Sequence, residues 1–488
     1  MKTLPAQADG AGAASPANTA ANAAIRWTLA SLSLSMLLSS LGTSITNVAL
    51  PTLAQAFSAS FQQVQWVVLT YLLAITTLIV SVGRLGDIFG RRRLLLGGIL
   101  LFTAASVLCG LAPTLHWLLA ARVAQGLGAA TMMALTIAFV SETVPKAKTG
   151  SAMGLLGTMS AVGTALGPSL CGVLIAGFGW QSIFLLNLPL GLLAWLLARR
   201  HLPEDRPAHQ TDRARFDAIG TLLLALSLAA YALAMTLGRG HFGALNLALL
   251  LATVVGSALF VFSQTQVASP LLRLSAFRDP ELSASLAINV LVATVMATTF
   301  VVGPFYLSRS LGLSAAMVGL VMAIGPAISI VGGVLSGRVV DRWGAASIVI
   351  AGLVLMVAGA VALSLLPGLF GVAGYVLAIA ILTPGYQLFQ AANNTAVMLD
   401  VSADQRGVIS GLLSLSRNLG LITGASVMGA VFALGASTTD ITTAPPEAVA
   451  AGLQTTFAIA ALLVAVAIAI ALGSRALMAR QAPPADAS

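Results

Sequence analysis

Carboxylates are the first shortage in this chain: only 15 Asp and Glu among 488 residues, against 24 Lys and Arg. Charged residues make up 8% of the composition, where a soluble domain carries roughly a quarter. Cysteine is nearly absent. Cys109 and Cys171 both sit inside apolar runs, with neither the spacing of a metal site nor that of a disulfide framework. The four histidines, 116, 201, 209 and 241, are scattered and form no ligand cluster. No Walker A sequence is present, so ATP is not expected to power the chain directly, and the G-x-G patterns fall inside apolar spans, where they read as packing. No catalytic constellation is visible, and an enzyme is not expected.

What fills the chain instead is apolar: 58% of residues are hydrophobic and the mean hydropathy is +0.97. Fourteen apolar segments lie near 27–50, 62–83, 94–112, 115–139, 150–176, 180–198, 217–237, 243–263, 281–307, 314–336, 346–366, 370–398, 407–433 and 452–473. Most are about 20 residues or longer, enough to cross a hydrocarbon core of about 30 Å as helix. The fold class expected is therefore an all-α polytopic membrane protein. An even number of crossings puts both termini on one side. With the N-terminus cytoplasmic, 20 of the 24 Lys and Arg fall on the inside, Arg239 and Arg309 fall outside, and Arg122 and Arg417 fall within spans. That asymmetry obeys the positive-inside rule and accounts for the net charge of +9 without nucleic acid. Residues 1–26 read as a disordered cytoplasmic tail rather than a cleaved signal peptide, and 474–488 as a cytoplasmic C-tail.

The densest charge is Gly83-Arg84-Leu85-Gly86-Asp87-Ile88-Phe89-Gly90-Arg91-Arg92-Arg93. Its spacing G-R-x-x-D-x-x-G returns at Gly337, Arg338, Asp341 and Gly344, a constant offset of 254. Six spans with short loops need only roughly 180–200 residues, so the offset leaves room for two more between related halves. The organisation expected is a six-helix bundle at 27–198, a cytoplasmic linker at 199–216, two extra spans in 217–263, a second linker at 264–280, and a six-helix bundle at 281–473.

The charged hairpin resembles motif A of the major facilitator superfamily. Arg122-Val123-Ala124-Gln125-Gly126 resembles motif B, and Gly163 with Gly167-Pro168-Ser169-Leu170-Cys171-Gly172 resembles motif C, associated with antiporters. Asn47-Val48-Ala49-Leu50-Pro51, and Trp180 with Phe184-Leu185-Leu186-Asn187-Leu188-Pro189-Leu190-Gly191, resemble the fourteen-span drug:proton antiporter branch. The resemblance covers about 27–473. It implies two six-helix bundles plus two linking spans, no cofactor beyond a proton gradient, and a monomer in a bacterial cytoplasmic membrane carrying a small-molecule substrate. The function implied is efflux of drugs or other amphipathic compounds, with a facilitator or differently coupled metabolite carrier as the alternative. Two positions depart from the branch. Gly42 stands where it has a first-span Asp, and Gln181 where Trp is followed by Arg. None of the 15 acids lies mid-span, so the expected proton carrier is missing.

Several residues carry candidate roles. Gly83, Arg84, Asp87, Gly90 and Arg91, with Gly337, Asp341 and Arg342 in the second copy, fit a cytoplasmic gate; the plainer reading is a topogenic signal. Arg122, with Gln125 one turn on, fits coupling, since an intramembrane Arg faces a cavity or a partner; Arg417 fits the same role less strongly. Tyr386, Gln390, Asn393 and Asn394 share one helical face suited to a substrate cavity or to interhelical hydrogen bonds, and Asn289 is a further cavity candidate. Gly163, Gly167, Pro168 and Gly172 fit either a flexing point or static close packing.

Overall fold

The computed structural model describes residues 16–143, 149–205, 217–237, 243–267, 271, 279–399, 406–438 and 441–481, without the side chains of some helical residues, Gly83, Arg84 and Asp87 among them. Every regular element in it is a helix. The N-terminal bundle consists of α1 (Pro16–Ala56), α2 (Phe61–Phe89), α3 (Arg91–Gly110), α4 (Leu115–Thr143), α5 (Thr149–Phe178), α6 (Ser182–Leu185) and α7 (Asn187–His201). The linking pair is α8 (Ala218–Thr236) and α9 (Ala244–Gln266). The C-terminal bundle consists of α10 (Pro280–Phe305), extended by a π turn at Tyr306–Ser310, then α11 (Ala315–Trp343), α12 (Ala345–Leu399), α13 (Arg406–Gly435) and α14 (Pro446–Gln481).

Among the described residues, twelve helices are long and apolar enough to cross a membrane, α6 and α7 together being one, and the bent α11 is a thirteenth. α12 accounts for two. Its 55 residues would reach roughly 80 Å at helical rise, far beyond one bilayer core. At Gly371 the backbone leaves helical geometry, with φ 56 and ψ −127, a conformation suited to glycine. The two arms then run back along each other: a Cβ on Gly352 would lie 2.7 Å from the Phe389 amide nitrogen, and one on Gly359 2.5 Å from Leu382 Cα. The fourteen expected crossings are therefore all present, and the start of α1 and the end of α14 share one face, here the terminal face; the opposite face is distal.

Crossings begin where side chains replace the missing helical acceptors. Ser60 and Gln63 form a capping box at α2, Asp217 caps α8, Asp279 caps α10 with Pro280 in the first turn, and Ser314 caps α11. Both termini of the helical domain depart from expectation. α1 begins at Pro16, so the predicted tail 1–26 is helical from residue 16, an alanine-rich run started by proline. α14 runs to Gln481, well into the predicted tail 474–488.

The halves meet on the distal side. One buried cluster spans both, and its N-terminal members, such as Leu41, Leu50, Phe61, Leu118 and Phe184, all lie in the distal part of that bundle. On the terminal side the N-terminal bundle keeps a core of its own around Val82, Leu95, Leu135 and Leu202. There the C-terminal bundle is packed by members of the shared cluster, Leu282, Leu286 and Ile409 among them, and by a small cluster of Val340, Ile348 and Ala392. α8 is wedged between α2 and α13: Trp66 Nε1 donates to Thr236 Oγ1 at 3.0 Å, and the Tyr231 and Thr423 hydroxyls are 3.1 Å apart. α9 lies outermost, with Leu247, Leu251, Val254 and Phe262 exposed as a lipid-facing surface.

Candidate functional site

The fourth crossing delivers Arg122 into the middle of the N-terminal bundle, where it is completely buried. Its Nε donates to the Val67 carbonyl at 2.9 Å, and its Nη1 donates to the Gly42 carbonyl at 3.2 Å and to Gln125 Oε1 at 2.5 Å. Gln125 Nε2 donates in turn to Ser106 Oγ at 2.6 Å. The guanidinium carbon lies 4.0 Å from the centroid of the Tyr71 ring, and Tyr71 Oη donates to the Ser39 carbonyl at 2.9 Å. The Phe184 ring lies 5.9 Å off as a second π face, so three neutral oxygens and two π faces share the charge, and Nη2 is left without a partner among the described residues. Small residues make the approach possible: a Cβ on Gly126 would come within 2.7 Å of the Tyr71 carbonyl, and one on Gly42 within 3.0 Å of Tyr71 Oη. Arg122 and Gln125 are therefore brought together as one network.

The polar candidates of the C-terminal bundle are not gathered in the same way. Asn289 is buried between α10 and α13, where Nδ2 donates to the Leu413 carbonyl at 3.0 Å and to Ser416 Oγ at 2.8 Å; this is interhelical cement. On the second arm of α12 the expected single face divides: Asn393 is buried with Nδ2 unpartnered, whereas Asn394 is exposed and accepts from Gln390 Nε2 at 3.4 Å. Tyr386 is half-buried. Arg417 is half-buried on α13, with Nε enclosed and unpartnered.

The charged hairpins share one backbone device. Gly90 and Gly344, the last glycines of the two copies, hold φ 90 and φ 81 at the junction of two crossings, which explains that position. In the first copy Asp205 closes over the junction: its carboxylate accepts from the Arg92 and Arg93 backbone amides at 2.7 and 3.2 Å, where α3 begins. Arg92 Nη2 donates to the Arg199 carbonyl at 2.6 Å. These contacts tie the hairpin to the end of α7 within its own half. The side chains of Gly83, Arg84 and Asp87 lie outside the described residues. In the second copy nothing among the described residues, its own helix backbone aside, approaches within 4 Å of where a Gly337 Cβ would be, and Asp341 and Arg342 are exposed.

The glycines of the fifth crossing divide between two jobs. A Cβ on Gly163 would meet the Leu37 carbonyl at 2.5 Å, and one on Gly167 would meet the Ile45 amide at 2.8 Å, so both seat α5 on α1. Gly172 instead joins the halves: its Cβ would lie 2.9 Å from the Ala315 carbonyl of α11, and a Cβ on Gly319 would lie 2.5 Å from the Pro168 carbonyl. On the other flank Gln65 Nε2 donates to the Ala425 carbonyl at 2.8 Å, and the Phe61 ring sits 4.7 Å from Phe305 and 5.5 Å from Phe432. These two seams seal the distal side.

The Major Facilitator Superfamily model matches residues 32–425. The chain belongs to the major facilitator superfamily. Among solved structures, a bacterial homologue of the human lysosomal transporter Spinster, inward-facing and unoccupied, superposes with a TM-score of 0.68 at 17% identity, covering 97% of this chain and 100% of that one. Multidrug resistance protein Stp of Mycobacterium tuberculosis is 33% identical over 81% of this chain and 73% of its own length. Riboflavin transporter RibZ of Clostridioides difficile is 30% identical over 81% and 86%. Tetracenomycin C resistance and export protein of Streptomyces glaucescens is 29% identical over 83% and 76%. As a major facilitator, the chain is a multi-pass membrane transporter and not an enzyme.

Sequence reasoning overlooked Gln65, Phe61 and Asp205 as structural actors. Gln65 and Phe61 carry no signal in an apolar stretch, because their partners are more than 200 residues away. Asp205 had one: an acid two residues beyond a proline at a helix end, on the same side as the hairpin.

Proposed function

We propose that the protein exports drugs or other amphipathic small molecules by alternating access, driven by the proton gradient, from a bacterial cytoplasmic membrane with both termini in the cytoplasm. The observation that carries this reading is the one-sided union of the bundles: their cores merge distally and separate on the terminal face. With the terminal face cytoplasmic, as the distribution of Lys and Arg supports, this is the state that takes up substrate from inside. The charged hairpins then lie where the opposite closure would form, consistent with a gate of Gly83, Asp87, Gly90 and Arg91. The names of two relatives, a multidrug resistance protein and a tetracenomycin C exporter, support an efflux direction.

A second reading, a facilitator or a carrier coupled to another ion, is favoured by one observation. Arg122 Nη1 donates to the Gly42 carbonyl at the position where the resembling branch has a carboxylate. The riboflavin transporter among the relatives fits a metabolite substrate. Cells expressing the protein are loaded with a fluorescent amphiphile and its loss is followed before and after an uncoupler. Gradient-dependent loss is expected. Loss that continues unchanged removes the proton coupling, and no difference from cells lacking the protein removes export.

A further inference from the structure

Arg417 is a second intramembrane guanidinium, and the network around Arg122 makes no use of it. It stands eleven residues into α13, roughly 16 Å from the terminal end. Its direction follows from its neighbours. Gly420 and Gly424 press against Val290, Thr294 and Ala297 of α10, while Ala425 and Gly429 meet Gln65 of α2. At about 100° per residue, Arg417 falls in the arc between those two faces. Thr423, which reaches Tyr231 of α8, lies outside that arc. α1 touches both α10 and α2, so the arc faces the centre of the molecule. Eight residues separate Arg417 from Ala425, which puts it roughly 12 Å to the terminal side of the distal seal.

No hydrogen bond or ion pair holds Arg417 among the described residues, and its Nε is enclosed. Nothing in the helix interiors balances it. The carboxylates of α2, α4, α10, α11 and α14 are Asp87, Glu142, Glu281, Asp341 and Glu447, each in the first or last turn of its helix. Arg122 has carbonyls, Gln125 and two aromatic faces; among the described residues Arg417 has none of these. With the halves apart on the terminal side the half-buried guanidinium is open to a ligand there, and inside a span such a charge is costly unless some state supplies an anion. Its planar donors match a carboxylate, sulfonate or phosphate edge.

Building on the transport reading above, we propose that Arg417 docks the anionic group of the transported molecule, so that the preferred substrates are amphipathic organic anions. The test uses purified full-length protein, with the ligand-induced rise in melting temperature as the binding readout and uptake into liposomes as the transport readout. The probes are carboxyfluorescein and taurocholate as anions, and ethidium and tetraphenylphosphonium as cations. The anions are expected to bind the parent. Arg417→Gln should weaken them by at least ~30-fold, as loss of a buried charge partner does, and leave cation binding unchanged, while Arg417→Lys retains part of the affinity. Without ligand, Arg417→Gln should melt no lower than the parent, which separates lost recognition from lost folding. Cations bound and carried while anions are not, or anions bound equally by Arg417→Gln, overturns the anion assignment and leaves export standing. Failure of all four probes to bind or be carried overturns the amphiphile-transport reading and this assignment with it.

Discussion

Arg122 Nη1 donates to the backbone carbonyl of Gly42 across 3.2 Å, in a bundle where no acid lies mid-span. A peptide dipole there does part of what a carboxylate would do, without a group that titrates. Two consequences follow for the same pair.

Placing an acid at this position should create pH dependence. A Cβ on residue 42 would lie 3.0 Å from Tyr71 Oη and 3.3 Å from Phe102 Cζ, so Gly42→Asp needs shifts of a few tenths of an ångström. The new carboxylate would enter beside the Tyr71 hydroxyl, whose ring carries the guanidinium on its face. Transport by Gly42→Asp should vary with pH more steeply than transport by the parent, measured as initial flux across a pH series in liposomes. Superimposable profiles would show that the position does not govern coupling.

Arg122→Ala should be severely destabilising. It removes a large, fully buried side chain and leaves Gln125 Oε1 with only the weak Cys109 thiol donor, 4.0 Å away. The cost expected is about 3–5 kcal/mol, and Arg122→Lys should recover only part of it, because one ammonium cannot reproduce the fork that reaches α1, α2 and Gln125. Thermal unfolding in detergent reads this directly. A loss below about 1 kcal/mol would mean the network contributes little to folding.

The distal seal should yield to a single side chain. Gly172→Leu would drive a branched group into Ala315 and Ala316, whose carbonyl and Cα lie within 3.0 Å of the Cβ position. The fold of each half is untouched, so the bundles should separate distally. With Cys109 and Cys171 replaced by serine, a cysteine at the buried Gln62 position should react roughly tenfold faster with an impermeant maleimide, the change a bias near 1.4 kcal/mol produces. Unchanged labelling would show that the seam does not hold the distal side closed.

At the terminal face, Asp205→Ala removes the cap from two α3 amides and should cost about 1 kcal/mol, within the range of helix caps. Gly90→Ala should cost more. Its φ of 90 disfavours any side chain, and the new methyl would press on Asp205 Cγ, 2.7 Å away. Melting temperatures of the two variants should fall in that order. A larger loss for Asp205→Ala would place the strain elsewhere.

The sequence alone determined what depends on local cost. Fourteen apolar runs became fourteen helical crossings, α12 counted as two at Gly371, because in a bilayer a helix satisfies its own backbone. The offset of 254 between the hairpins revealed two halves, and both final glycines proved to be positive-φ junctions. Arg122 and Arg417 stood out because a charge inside a span is expensive wherever it ends up. The helix ends at Pro16 and Gln481 were misjudged, since helix formation does not stop where hydrophobicity does.

Tertiary structure decided which partners these residues have. The Gly42 carbonyl reaches Arg122, Asp205 closes over Gly90 and Gln65 crosses to Ala425, across 80, 115 and 360 positions of chain. Spacing made Gly163, Gly167 and Gly172 look alike, yet two lie inside one bundle and the third lies between bundles. Asn289, a cavity candidate in the sequence, bonds through Nδ2 across to α13, while Arg417 has no partner among the described residues. A side chain's direction depends on which helix closes against it, and that is fixed only when the two bundles assemble.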